Sequence, residues 1–285
     1  NSGATLNATG IVSFTADGST VNNGGAAANA VLTARSAGAT INVASAGSGD
    51  FTITGGAGVD ILTGGGGADI ISGGGSNDTI SGGDGADTIT GGGGMDTITG
   101  GGGNDIITVD SSFDTITDLG GSGGTDDDVL IIASGAVASA TGIIGFTATA
   151  DTENNSSGAG NVTLTAADGG NRTISVALAG GTSGAFSLSG GNGQDILTGG
   201  AGTDIITGGS GADTISGGNA IDTISGGIGD DIITGGGGAD IITVDFDTDT
   251  VLDLGGGSSG GETDVVIINS GATLNATGIV SFTAD

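Results

Sequence analysis

The strongest constraint on this 285-residue chain is a nine-residue motif that repeats without a gap. The motif is GGxGxDxUx, in which U is a large aliphatic residue. It occurs seven times from Gly55 to Thr117, where the last copy is the degenerate VDSSFDTIT. It occurs seven times again from Gly190 to Leu252, where the last copy is the degenerate VDFDTDTVL. Tandem repeats this short and this regular predict a solenoid, to which each repeat adds one strand.

Each motif divides into a turn and a strand. The paired glycines have no Cβ, so they allow the tight turn. The last three residues form a strand whose middle aliphatic side chain points inward, because side chains alternate across a strand. The predicted inward column of the first array is Leu62, Ile71, Ile80, Ile89, Ile98, Ile107 and Ile116. Two repeats close one flattened coil, so residues 18 apart are predicted to lie one above the other on the same edge.

This stacking places the aspartates of position six above one another. Two ionised carboxylates at the strand spacing of about 4.8 Å repel by about 3 kcal/mol at an effective dielectric constant of about 20. A divalent cation between the loops turns this repulsion into attraction, and carboxylate and carbonyl oxygens are the ligands that calcium prefers. The predicted pairs are Asp60/Asp78, Asp69/Asp87, Asp78/Asp96, Asp87/Asp105, Asp96/Asp114, Asp195/Asp213, Asp204/Asp222, Asp213/Asp231, Asp222/Asp240 and Asp231/Asp249.

We therefore expect about ten bridging Ca²⁺ ions as the only cofactor. Their positive charge would offset much of the formal net charge of −30. Further acids in TDDD, at residues 125–128, and in VDFDTD, at residues 244–249, either hold more calcium or stay solvated.

The fourteen copies closely resemble the RTX (repeats-in-toxin) family of secreted bacterial proteins, whose nonapeptide arrays form calcium-loaded parallel β-rolls. The resemblance implies that position six gives a carboxylate, and that positions one and three give backbone carbonyls, which are Asp60, Gly55 and Ala57 in the first copy. The implied carboxylate ligands are Asp60, Asp69, Asp78, Asp87, Asp96, Asp105, Asp114, Asp195, Asp204, Asp213, Asp222, Asp231, Asp240 and Asp249. The implied glycine ligands are Gly55, Gly64, Gly73, Gly82, Gly91, Gly100, Gly190, Gly199, Gly208, Gly217, Gly226 and Gly235.

The chain departs from the family pattern at a few positions. Ser76 and Ala220 replace the glycine of position four, and both degenerate copies lack the glycine pair. These departures single out the sites at which the implied ligand set is incomplete.

A second, longer period surrounds the arrays. The segment NSGATLNATGIVSFTAD at Asn1 recurs with changes at Ala133 and letter for letter at Asn269, so one full period spans positions 1–268. The alternating segments before each array predict either irregular solenoid coils or a small β-sandwich. The predicted divisions are strand-rich segments at 1–54 and 133–189, rolls at 55–117 and 190–252, acidic connectors at 118–132 and 253–268, and the start of a third unit at 269–285. The predicted fold class is all-β, a calcium-loaded parallel β-roll or β-solenoid in tandem units.

The composition excludes several classes of function. Without histidine, cysteine or lysine, a serine nucleophile has no base, and a zinc or iron site has no nitrogen or sulfur ligands. We expect no enzymatic activity. Only Arg35 and Arg172 stand against 32 acidic residues, so we expect repulsion from nucleic acid and from anionic membranes. No apolar run approaches the roughly 18 residues that a membrane-spanning helix needs.

The long, nearly identical units favour a structural role outside the cell. We expect a filament, sheath or surface layer in which copies of the chain associate end to end or side by side. The alternatives are the repetitive stalk of a giant RTX adhesin and the calcium-triggered folding segment of a type I-secreted toxin or protease. A secreted, extracellular location is expected because calcium is millimolar outside cells.

The outward faces of the strands suggest a further alternative. Outward threonines such as Thr88 and Thr97 resemble a flat ice-binding ladder. Outward isoleucines such as Ile61 interrupt that ladder, and they favour contact with a neighbouring segment or rod instead.

Overall fold

The computed structural model describes residues 7–11, 13–15, 30–110, 113–119, 128–133, 137–143, 145–147, 153–154, 162–166, 172–176, 184–245, 247–253 and 264–276. These residues form strands and turns without a helix. The described part of the chain accordingly has no helix long and apolar enough to cross a membrane. The chain divides into two compact units, Asn1–Ser139 and Ala140–Asp285.

Among the described residues, fourteen strands begin in the first unit. They are β1 (Asn7–Ile11), β2 (Ser13–Thr15), β3 (Ala30–Ala34), β4 (Thr40–Asn42), β5 (Phe51–Gly56), β6 (Ile61–Thr63), β7 (Ile70–Gly75), β8 (Thr79–Asp84), β9 (Thr88–Gly93), β10 (Thr97–Gly102), β11 (Ile106–Val109), β12 (Phe113–Asp118), β13 (Val129–Ile132) and β14 (Val137–Ile143). The odd-numbered strands β1 to β13 lie side by side in one sheet, and the even-numbered strands β2 to β12 form a second sheet. The chain therefore alternates between two sheets, as a flattened solenoid requires.

The second unit is built in the same way. Its strands are β15 (Gly145–Thr147), β16 (Glu153–Asn154), β17 (Val162–Ala166), β18 (Thr173–Ser175), β19 (Phe186–Asn192), β20 (Ile196–Thr198), β21 (Ile205–Ser210), β22 (Thr214–Asn219), β23 (Thr223–Ile228), β24 (Ile232–Gly237), β25 (Ile241–Val244), β26 (Thr248–Asp253), β27 (Val265–Ile268) and β28 (Thr273–Ala276). The odd strands β17 to β27 follow one another in one sheet. The other sheet has the order β15-β18-β20-β22-β24-β26-β28.

Neighbouring strands are parallel, and in the arrays strand residues pair with their equivalents two nonapeptides along the chain. The register shifts by one residue only at the degenerate copies, where Thr99 pairs with Asp118 and Thr234 with Asp253. In the first unit Ile80 pairs with Ile98, and in the second Ile215 pairs with Ile233. The predicted parallel β-roll is confirmed.

The strand-rich segments continue the solenoid with coils that are longer than two nonapeptides. Ala30 of β3 pairs with Phe51 of β5. In the second unit Val162 of β17 pairs with Phe186 of β19, so that coil is longer still. Because these strands join the same parallel sheets as the arrays, the described parts of the strand-rich segments are irregular coils and not a separate sandwich.

The core is a column of aliphatic side chains between the two sheets. All seven residues of the predicted inward column of the first array are buried. The second array repeats the column with Leu197, Ile206, Ile215, Ile224, Ile233, Ile242 and Val251. Strand residues on either side of the column point outward, and the side chain of Ile61 is 50% exposed. One inward and two outward side chains in each short strand follow directly from strand alternation.

Contact with the coil below explains why position four is usually glycine. Gly94 has a φ of 137°, and a Cβ at this residue would lie 2.2 Å from the carbonyl oxygen of Ser76. Ser76 and Ala220 occupy position four in their own copies, and they are the described non-glycine residues with positive φ, at 75° and 69°. The repeat therefore imposes a left-handed conformation even where the sequence supplies a side chain that disfavours it.

We predict that Ala220→Gly stabilises the folded chain by about 1 kcal/mol, because glycine relieves the left-handed strain. The matched control is Gly229→Ala at position four of the next repeat, where an added Cβ would lie 2.0 Å from the carbonyl oxygen of Gly211. This control should lower stability. Denaturant midpoints at saturating calcium measure both changes, and a destabilised Ala220→Gly variant would contradict the prediction.

Candidate metal sites

The aspartates of position six stack along the edges of the coils. The Oδ1 atom of Asp78 accepts a hydrogen bond from the backbone N–H of Asp60, at 2.8 Å. All ten predicted pairs repeat this bond, with N···O distances from 2.7 to 3.1 Å. Each carboxylate thus reaches back across one coil to the aspartate two nonapeptides earlier.

The stacked aspartates form two columns in each array, one on each edge. In the first array one column is Asp60, Asp78, Asp96 and Asp114, and the other is Asp69, Asp87, Asp105 and Asp128. In the second array the columns are Asp195, Asp213, Asp231 and Asp249, and Asp204, Asp222, Asp240 and Asp264. The 18-residue spacing of the repeat predicts this stacking of the position-six aspartates.

Asp128 and Asp264 were not among the predicted pairs. Asp128 Oδ1 accepts from the Asp105 N–H at 2.9 Å, and Asp264 Oδ1 accepts from the Asp240 N–H at 2.9 Å. The connectors lengthen these coils beyond two nonapeptides, so a search at the fixed spacing of the repeat misses them. The signal that finds them is an aspartate directly before an aliphatic run, DVLII or DVVII. Residues 125–127 of TDDD, Ser111 and Ser112 of one degenerate copy, and Phe246 of the other lie outside the described residues.

The second carboxylate oxygen faces a buried position beside the glycine turn. Within the described residues the Oδ2 atoms that are buried and accept no hydrogen bond include those of Asp60, Asp78, Asp87, Asp96, Asp105, Asp114, Asp195, Asp213, Asp222, Asp231 and Asp249. A buried carboxylate oxygen without a partner is costly. Such an oxygen indicates that a cation belongs beside it.

The glycine of position one leaves room at the same place. A Cβ added to Gly55 would lie 2.5 Å from Asp60 Oδ2 and 2.2 Å from the carbonyl oxygen of Gly73, one coil above. A Cβ added to Gly208 would lie 2.4 Å from both Asp213 Oδ2 and the carbonyl oxygen of Gly226. A carboxylate oxygen and a carbonyl oxygen therefore converge on a space that any larger residue would fill. These hard oxygen donors fit calcium.

Backbone carbonyls must provide much of any coordination shell. No three carboxylate, imidazole or thiolate side chains converge on one point among the residues that the structure describes. One implied ligand is engaged elsewhere, because the Ser76 hydroxyl donates to the Ala57 carbonyl at 3.0 Å. This bond exists because serine, and not glycine, occupies position four of that repeat.

The lowest rung of one column in each array, Asp69 or Asp204, differs from the other rungs. Both oxygens of Asp69 accept backbone hydrogen bonds, Oδ1 from Phe51 at 2.6 Å and Oδ2 from Gly65 at 2.8 Å. Asp204 Oδ2 likewise accepts from Gly200 at 2.8 Å. These two carboxylates are satisfied by the protein itself.

The positively charged residue Arg172 lies near Asp195, the first aspartate of one column. The backbone N–H of Arg172 donates to Asp195 Oδ1 at 2.7 Å, and the positive charge of the Arg172 side chain opposes the burial that raises the pKa of Asp195. One of the two basic residues of the chain is thus placed where a column of negative charge begins.

Burial makes the stacked carboxyls weak acids when no ion is present. Burial, with repulsion from neighbouring aspartates added, raises the pKa of Asp87, Asp105 and Asp231 to about 7 and that of Asp222 to about 8. Burial raises the pKa to about 6 for Asp69, Asp78, Asp114, Asp204 and Asp213. The coil without ions therefore binds protons at a pH where an exposed aspartate is ionised.

These raised pKa values predict opposite pH responses with and without calcium. Without calcium the folded chain binds more protons than the unfolded chain, whose aspartates have pKa values of about 3.9. The resulting stabilisation is full below about pH 4 and is lost as the pH rises through the folded-state values of about 6 to 8. With calcium, protons compete for the carboxylates, so the affinity for calcium falls as the pH is lowered.

Circular dichroism of the chelated chain should therefore show strand content increasing from pH 7.5 to 4.5. In calcium titrations, the calcium concentration at which half of the chains are folded should increase as the pH is lowered over the same range. Asp84→Asn, at an exposed carboxylate, is the control and should leave both trends in place. A chelated chain that loses strand content on acidification would contradict this interpretation.

Comparison with known proteins agrees with this geometry. The model of the RTX calcium-binding nonapeptide repeat (4 copies) matches residues 36–71, 45–80, 72–107, 81–116, 181–215, 189–224 and 216–251. Together these matches cover more than half of the chain, and they include every predicted nonapeptide aspartate. No curated protein matches the chain. The chain belongs to the RTX family of calcium-binding nonapeptide-repeat proteins, and it binds Ca²⁺ at multiple sites in its β-rolls.

Proposed function

We propose that this protein is an extracellular structural element, a filament, sheath or surface-layer protein whose coils are stiffened by calcium. The observation that carries the proposal is the pair of aspartate columns that runs through each array. The strands of the strand-rich segments belong to the same parallel sheets as the array strands. The same coil is repeated along each unit, which is what a load-bearing rod requires and a single binding site does not. Secretion by a bacterium is proposed with this role, because RTX repeats are typical of such proteins.

The proposed calcium ligands come from two neighbouring coils. The Oδ2 atom of an aspartate and the carbonyl oxygen of the position-one glycine one coil above converge, as at Asp60 and Gly73. The same two oxygens converge beside Gly73, Gly82, Gly190, Gly208 and Gly217. They also converge beside Gly64 and Gly199, where the Oδ2 atom accepts a backbone hydrogen bond as well. We extend the proposal to the remaining column aspartates, among them Asp128 and Asp264. A bound ion supplies positive charge that neutralises the buried carboxylates and links consecutive coils.

The surface is suited to association and not to catalysis. Isoleucines on the outward faces of both units are exposed, among them Ile61, Ile70, Ile196, Ile205 and Ile232. Exposed apolar positions repeated along a sheet support side-by-side contact between rods. The carboxylates of the columns are engaged in the backbone ladder, and the chain has no histidine, cysteine or lysine, so we propose no enzymatic role.

We predict that Asp78→Ala loses more calcium than Asp60→Ala. Asp78 is paired with Asp60 below and Asp96 above, whereas Asp60 Oδ1 accepts from the N–H of Ala39 and has no aspartate below it. Asp78 Oδ2 lines its own site, and Asp78 Oδ1 holds the N–H of Asp60 in the site below. Removing Asp78 should therefore damage two adjacent sites and removing Asp60 only one. Calcium stoichiometry from titration calorimetry measures the difference. Asp78→Asn keeps an oxygen that can accept from the Asp60 N–H. A loss of bound calcium that persists in this variant is therefore due to the missing carboxylate charge and not to the missing hydrogen bond. Equal losses for Asp78→Ala and Asp60→Ala would contradict the pairing.

We predict that purified chains in millimolar calcium form unbranched fibres or sheets, and that a chelator dissolves them. The odd strands of the first unit give seven rungs. At about 4.8 Å per rung the axial repeat should be about 35 Å, or about 70 Å for a pair of units. Light scattering and electron microscopy with Fourier analysis test both statements. Chains that fold in calcium but remain monomeric would overturn the polymer proposal.

A further inference from the structure

One turn in each array has a different backbone conformation from the turns around it. The glycine of position two lies in the left-handed region in the other complete copies, with φ from 90° to 134°. Gly65 and Gly200 are the two exceptions. In both, the backbone N–H donates to the Oδ2 atom of the aspartate of the same copy, Asp69 or Asp204, at 2.8 Å. The same departure in the second copy of both arrays indicates a specific role.

The N–H groups of these glycines supply the partial positive charge that carboxylates higher in the columns lack. Asp87 and Asp222 are the next aspartates of the same columns, and their Oδ2 atoms are buried without a hydrogen-bond partner. A hydrogen bond from a backbone N–H to a carboxylate is charge-assisted and strong. The rungs of Asp69 and Asp204 are therefore complete without a cation, whereas the rungs of Asp87 and Asp222 are not.

The coils beneath these rungs contain no stacked carboxylate. Phe51 and Phe186 occupy the place of the position-six aspartate, because their N–H groups donate to the Oδ1 atoms of the aspartates above them. Ala39 and Arg172 fill the same place on the other edge. Among the described residues of these coils, no aspartate is buried. Folding of these coils therefore creates no buried negative charge that calcium would have to neutralise.

The same coils bury more large apolar side chains than the coils of the arrays. The array strands β6 to β8 bury one each, which are Leu62, Ile71 and Ile80. Strands β3 to β5 and their turns bury Leu32, Ile41, Val43, Phe51 and Ile53. Strands β17 to β19 and the described turns between them bury Val162, Leu164, Ile174, Val176, Phe186 and Leu188. Burial of apolar side chains stabilises a coil with or without calcium.

We propose that each unit has a calcium-independent base, which consists of the strand-rich coils and is closed by the rung of Asp69 or Asp204. When calcium is withdrawn, the base keeps its strands and the aspartate columns above it open. When calcium returns, the array forms again on a coil whose register is already fixed. The inference rests on the proposed calcium ligands, because it specifies where along each unit folding begins to need them.

Amide hydrogen exchange of the full chain, measured by NMR in excess chelator and in millimolar calcium, tests this proposal. The N–H groups of Phe51 and Gly65 report on the base, and those of Asp78 and Asp87 report on the columns. All four should be protected in calcium. In chelator the two base amides should exchange about tenfold more slowly than the two column amides, because only the columns open.

Two variants locate the boundary of the base. Asp69→Ala removes the acceptor of both base amides, and Asp87→Ala is the matched control one rung higher in the same column. In chelator, Asp69→Ala should abolish the slow exchange of the two base amides, and Asp87→Ala should preserve it. The second unit is an internal control, because the amides of Phe186 and Gly200 should stay protected in both variants.

The other outcomes separate this inference from the proposed function. Base and column amides that exchange equally fast in chelator, in a chain that protects both in calcium, would overturn the base and leave the calcium sites standing. Column amides that stay protected in chelator would overturn the calcium dependence proposed for the arrays. Loss of base protection in Asp87→Ala as large as in Asp69→Ala would overturn the boundary at Asp69.

Discussion

The hydrogen bond from an aspartate N–H to the carboxylate one coil above is the interaction on which the rest of this structure depends. It fixes the offset between coils, because the accepting carboxylate recurs at position six of every nonapeptide. It also places the position-six aspartates on the buried edge of the solenoid, where burial raises the pKa of the carboxyl, as at Asp78 and Asp87. The bond therefore buries the negative charge that we propose calcium neutralises. Register and the proposed ion binding are two results of one side chain at one position.

Glycine has a separate role at each position of the turn. At position one it leaves space beside a carboxylate oxygen and a carbonyl oxygen, as at Gly55. At position four it allows close approach to the coil below, as at Gly94. These different roles explain why substitution of glycine is tolerated better at position four than at position one. Position four accepts serine or alanine at the cost of left-handed strain, whereas a residue at position one would enter the space proposed for the ion.

The parts of the fold that follow from local repetition were predictable from the sequence. The parallel coil, the buried Ile80 column and the stacking of Asp60 below Asp78 all follow from a period of nine and from strand alternation. Asp128 and Asp264 were not predicted as column members, because the connectors change the coil length and spacing alone then gives no register. Nor could spacing show that Asp69 and Asp204 satisfy both carboxylate oxygens. That result depends on the backbone of Gly65 and Gly200, which is set by the irregular coils beneath.

The direction of the ladder bond has a consequence for the order in which the chain can fold. Each N–H finds its acceptor on an aspartate that lies later in the sequence, as the Asp60 N–H does on Asp78. A chain delivered into calcium from its C-terminus would meet finished acceptors, so each arriving coil could add to a complete template. A chain delivered from its N-terminus would leave each aspartate N–H without its carboxylate until the next two nonapeptides arrived, although the next coil also bonds back, as the Thr79 N–H does to the Asp60 carbonyl. The solenoid is therefore polar as a growth process, with a leading end and a waiting end, although its coils are nearly identical.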